Sequence, residues 1–103
     1  MDLKRNIMLS LKEYFKREDS LSQKELAVLL DVKEGTVSKW ISGAMTPDIN
    51  KIPLICNSMN VTITSFLKID EASRLSDDDI ALINNYKSHP EMQDAVNRLL
   101  GLK

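Results

Sequence analysis

At 103 residues, with 43% hydrophobic and 28% charged side chains, the chain has the composition of one small globular domain rather than a disordered one. A formal net charge of −1 does not by itself point to nucleic-acid binding, and a single cysteine excludes an internal disulfide or a cysteine-built metal cluster. Charges begin at Asp2 and no apolar run could span a bilayer, so neither a signal peptide nor a membrane partner is expected, and the expected location is cytoplasmic.

The charge is unevenly placed. Residues 1–68 carry ten Lys/Arg against eight Asp/Glu, net +2, and residues 69–103 carry four against seven, net −3. That is the asymmetry expected if only the first part meets a polyanion. In chain order, Leu3, Ile7, Leu11 and Phe15 recur every four residues, widened by Met8 and Tyr14, and predict a helix over about Leu3–Arg17. Lys4, Arg5, Lys12, Lys16 and Arg17 surround the stripe; they read as a solvated face, or, for Lys4 and Arg5, as phosphate contacts.

Ser22 followed by Glu25 has the spacing of a capping box and predicts a helix start at Gln23. Leu26, Ala27, Leu29 and Leu30 give that helix its apolar stripe, and Asp31-Val32-Lys33 interrupts it. Val37, Trp40 and Ile41 resume the stripe, and Gly43 can close the second helix in the left-handed conformation. Two short helices around a tight corner form a helix-turn-helix layout, and neither is long enough to be stable unpacked. Trp40 shares the Val37 stripe, so it reads as core rather than as a stacking surface.

After the loop Ala44–Pro47, Ile52, Ile55, Cys56 and Met59 keep helical spacing; a start near Asn50 puts Pro53 in the first turn, where its missing N–H is harmless. Thr62 can cap a short helix burying Ile63, Phe66 and Leu67. Residues 1–69 thus form one unit, and residues 70–103 a linker (Asp70–Leu75) with a C-terminal pair of amphipathic helices. Ser76 and Asp79 form a second capping box before Ile80, Ile83 and Tyr86. His89-Pro90 breaks the pattern, Met92, Ala95, Val96, Leu99 and Leu100 restart it, and Gly101 ends it. The pair is too small for a core of its own. It either dimerises through Ile80, Ile83, Met92, Val96, Leu99 and Leu100 or folds back on residues 1–69.

Catalytic equipment is sparse. His89, the single histidine, sits at a predicted turn; Asp77, Asp78 and Asp79 point in different directions on a helix and read as helix-start charge; Cys56 lies on an apolar stripe and reads as an inert thiol. With no phosphate loop, metal-ligand cluster or nucleophile–base set, neither an enzyme nor a cofactor or metal is expected.

Gln23, Ala27, Leu30, Val32, Val37, Trp40 and Gly43, followed by PDINKIPLICNSMNVTITSFL over Pro47–Leu67, resemble the Cro/C1-type helix-turn-helix family of phage repressors across roughly two thirds of the chain. The chain departs from that pattern at the corner, where Asp31 replaces the usual glycine, and at the start of the second helix, where Lys33 replaces the usual Ser or Thr. The resemblance implies an all-α, five-helix, lambda-repressor-like head whose second motif helix enters the DNA major groove. It puts Lys33, Glu34, Gly35, Thr36, Ser38 and Lys39 at base edges and Gln23, Ser42, Ala44 and Thr46 at phosphates. Lys39 can donate to guanine and Glu34 can accept from cytosine, or both are merely solvated; Gly35 offers close backbone approach.

Three functions follow. One is a sequence-specific transcriptional regulator, a homodimeric repressor of phage or mobile-element type on a palindromic operator in double-stranded DNA. Another is an antitoxin or immunity-type adaptor holding a regulatory protein partner through residues 70–103. The last is a helical packing module without DNA contact.

Overall fold

The computed structural model describes residues 2–69 and 76–79, and all the regular structure among them is helical. In order the elements are α1 (Leu3–Phe15), α2 (Gln23–Leu30), α3 (Glu34–Ser42), a 3-10 turn (Ile49–Lys51) running into α4 (Ile52–Met59), and α5 (Ile63–Phe66). The expected five-helix head is present. The expected C-terminal pair, with Ile80, Ile83, His89, Met92, Val96, Leu99 and Leu100, lies outside the described residues.

Each helix turns one narrow stripe inward. Leu3, Ile7, Leu11 and Tyr14 of α1 meet Leu26, Ala27 and Leu30 of α2, Val37 and Trp40 of α3, Ile55, Cys56 and Met59 of α4, and Phe66 of α5 in a single cluster. Burying a side chain of this size is worth about 1.5–3 kcal/mol, so this cluster rather than helix propensity holds the short elements. Leu29 was expected inside and is 60% exposed. At 3.6 residues per turn it lies on the order of 100° from the centre of Leu26, Ala27 and Leu30, beyond the one face that α2 can bury. Tyr14 is buried and Phe15 only half-buried, the reverse of their expected weights. Ile41 and Ile63 are likewise half-buried.

The helix ends are set by identifiable groups. α1 stops two residues before the predicted Arg17. Tyr14 draws the chain into a turn, its hydroxyl accepting the Leu21 N–H at 2.8 Å, while Arg17 lies over its ring and grips Asp19 through two hydrogen bonds of 2.8 and 2.9 Å. Ser22 and Glu25 form the predicted box, each bond 3.0 Å. Asp31 takes the left-handed corner at φ 55°, and Gly43 does so after α3 at φ 84°, where a Cβ would come 2.8 Å from Met8 Sδ. Asp48 caps the 3-10 turn by accepting the Asn50 N–H at 2.8 Å, which puts Pro53 in the first turn of α4 as expected. Thr62 caps α5 through the Ser65 N–H at 3.2 Å. The last carbonyls of α5 are met from α1: Ser10 donates to the Phe66 carbonyl at 2.6 Å and Asn6 to that of Leu67 at 3.1 Å. That bond explains why a serine sits buried in α1. Ser76 and Asp79 also make the predicted capping box, at 2.9 and 3.2 Å.

Candidate nucleic-acid interface

The surface of interest is the outer face of α3. Val37 and Trp40 fix the inner face in the core, and the helix period then turns Glu34, Gly35, Ser38 and Lys39 outward. Lys33 precedes the helix in an extended conformation and supplies no side-chain cap. The first amides of α3, at Glu34 and Gly35, thus keep their hydrogen-bonding capacity and carry the positive end of the helix dipole. Lys39 lies one turn beyond Gly35 on the same face, and helical side chains lean towards the N-terminus. A Cβ at Gly35 would meet nothing within 4 Å, so the surface over Gly35 is open. Lys33, Glu34, Gly35, Ser38 and Lys39 are exposed and Thr36 is half-buried. Among the described residues neither lysine is ion-paired to Glu34.

A side-chain bridge ties this face to α2. Ser38 Oγ donates to Gln23 Oε1 at 2.8 Å, joining the first residue of α2 to the middle of α3. Ser38 therefore spends its proton on bracing Gln23, while the Gln23 Nε2 hydrogens stay available. Ser42 and Ala44 are also engaged locally: Ser42 Oγ donates to the Lys39 carbonyl at 3.1 Å and accepts the Ala44 N–H at 3.3 Å. Of the four residues anticipated at phosphates, Gln23 and Thr46 keep free polar groups. Thr46 lines a groove between the start of α1 and the end of α3, alongside Lys4, Arg5, Gly43 and Met45 and the carboxylates Asp2 and Asp78. The structure thus gathers Lys4, Arg5 and Thr46, far apart in sequence, into one place. The Ser38–Gln23 bridge left no trace in periodicity, because two polar residues fifteen positions apart carry no pairing signal.

Electrostatics elsewhere are quiet. The Ser22 backbone N–H, with the Ser22 side chain, holds the exposed Glu25 carboxyl below its ordinary range. Burial in α4 pushes the Cys56 thiol up to about 12, which leaves it protonated and unreactive in the folded protein. Among the described residues no three His, Cys, Asp or Glu side chains gather where a metal could bind, and no helix is long and apolar enough to cross a membrane.

Two short helices packed at a left-handed corner, the second presenting an uncapped polar face, define a helix-turn-helix protein that offers one helix to duplex DNA. A helix-turn-helix family model matches residues 11–66, more than half of the chain, and the chain belongs to the Cro/C1-type helix-turn-helix family. It is a DNA-binding transcription regulator whose ligand is double-stranded DNA. Comparison with curated proteins and with solved structures gives no match.

Proposed function

We propose that the protein is a dimeric repressor of phage or mobile-element type that reads a palindromic operator with α3. The observation that carries this reading is the outer face of α3: an uncapped start, a glycine with open space before it, and Lys39 standing free one turn later. In this reading Lys39 donates to guanine O6 and N7, Glu34 accepts from cytosine, and Gln23, Lys4, Arg5 and Thr46 hold phosphates. Residues 80–103 join two copies, so that the two α3 helices meet successive major grooves about 34 Å apart. The mild net charge suits such a protein, because sequence choice rests on base edges while only a few phosphates are neutralised.

Selection of bound sites from random duplex DNA, followed by binding of Lys39→Ala to the selected site, tests the assignment. The variant should lose about 1–3 kcal/mol on that site and relax its choice at one base pair. Equal losses on selected and random DNA would make Lys39 a phosphate contact instead. Gln23→Ala should weaken binding on all sequences alike, since a phosphate contact carries no base information. Sedimentation of the full chain at tens of micromolar decides the dimer.

A further inference from the structure

Asp79 is the one carboxylate that the fold buries among the described residues, at 2% exposure. Its Oδ1 accepts the Leu3 N–H at 2.7 Å, across 76 positions of sequence, and its Oδ2 accepts the Ser76 N–H at 2.9 Å. Its own N–H donates to Ser76 Oγ at 3.2 Å. The Leu3 amide belongs to the first turn of α1, where no partner exists within the helix. Asp2 already takes the Arg5 amide of that turn at 3.1 Å. Two carboxylates from opposite ends of the described chain therefore terminate one helix, where its dipole favours negative charge. The neighbouring Asp78 lines the groove that holds Lys4, Arg5 and Thr46. The sequence pattern pointed to Ser76 as a cap for its own helix and carried no sign of the partner in α1.

We infer that Asp79 is a positioning residue for DNA binding: it fastens the segment leading to residues 80–103 onto the start of α1, beside the proposed phosphate face. The inference rests on the proposed reading in which residues 80–103 join two copies. An apolar contact can slide, whereas a buried carboxylate holding two amides fixes both direction and distance. Residues 80–103 then leave the head from a set point, and the separation of the two α3 helices becomes a property of the protein. Without that fastening, the two heads would tolerate altered half-site spacing.

The experiment uses the full chain, as wild type, Asp79→Ala and Asp79→Asn. It measures amide hydrogen exchange at Leu3 and affinity for the palindrome selected by wild type, with the half-sites at native separation and moved apart by two base pairs. In wild type the Leu3 amide should be protected well beyond that of Lys4, and the altered spacing should cost at least tenfold in affinity. Asp79→Ala should release the Leu3 amide, leave α2 and α3 amides and single half-site affinity unchanged, and cut the spacing penalty severalfold. Asp79→Asn keeps one acceptor oxygen and should fall between the two. An unprotected Leu3 amide in wild type, or an undiminished spacing penalty in both variants, overturns the inference. Collapse of the helical fold in both variants also overturns it, because a joint at the edge of the head should not carry the core. A full chain that sediments as a monomer overturns the positioning role together with the dimer reading; release of the Leu3 amide by Asp79→Ala would then show only that the fastening exists.

Discussion

The starts of α2 and α3, at Gln23 and Glu34, belong to the same motif and are built in opposite ways. At α2, Ser22 and Glu25 close the end on itself with two reciprocal bonds, and Gln23 is held by Ser38. At α3, Lys33 gives no cap and Gly35 weakens the first turn without any crowding that would require a glycine. Helix α2 is finished by its own residues. Helix α3 is left with donors and space unspent, and its place in the fold comes from Val37 and Trp40 beneath it. The lesson is that the two helix starts divide their tasks: α2 closes its own end and helps locate α3, whose start keeps its donors unspent.

The largest break in that comparison comes from beneath α3. Trp40→Ala should cost about 3–5 kcal/mol, as for other buried large-to-small changes, because no side-chain cap holds the start of the helix. A denaturant midpoint that hardly moves would show α3 held by something other than its inner face. Removing the cap of α2 is the next step down. Ser22→Ala should cost roughly 1 kcal/mol in stability and leave base preference intact. The same box gives a pH signature. Hydrogen bonding from Ser22 lowers the folded pKa of Glu25 below its ordinary 4.5, so its contribution is fully present above that value and is lost as the pH falls through the lower, folded pKa. Thermal melts of Glu25→Gln and wild type should therefore converge in that acid window, whereas Ser22→Ala, which keeps the Ser22 N–H that Glu25 accepts, should retain most of the pH dependence.

The smallest change sharpens the contrast most. Gly35→Ala should stabilise the free protein by about 0.5–1 kcal/mol, since the fold has room for the methyl and the helix gains from it. If α3 reads DNA as proposed, the same variant should bind the selected site less well, because the methyl would stand between the backbone and the groove. A variant both more stable and equally tight on DNA would mean that Gly35 faces solvent in the complex.

Much of this head could be read from local sequence. Ser22 with Glu25, Thr62, and Ser76 with Asp79 each announced a helix start, and Gly43 announced a stop, because capping is chemistry between residues three or four apart. Depth was less legible. Leu29 carries the same apolar character as Leu30 and is exposed, since periodicity gives a direction and not the width of the neighbour that covers it. Contacts between distant polar groups were not legible at all. Ser10 on the Phe66 carbonyl, Ser38 on Gln23 and Asp79 on Leu3 depend on how helices meet, and no pattern within one helix encodes the partner. For the site, the face of α3 followed from its apolar stripe, whereas the diversion of Ser42 to Ala44 became visible only in three dimensions.

Cys56 offers a different kind of return. Its side chain sits on the inner face of α4 at 2% exposure, and it is the single thiol of all 103 residues. Alkylation needs the thiolate and an open path, so the rate at which Cys56 is modified counts how often the head opens. The protein thus carries its own clock, readable by mass with no label attached to the DNA-facing surface. Duplex DNA that binds only the folded head should slow the clock by a factor of one plus the ratio of free DNA to its dissociation constant, about a hundredfold at one hundred times that constant. An affinity could then be read from α4, on a residue that touches no DNA.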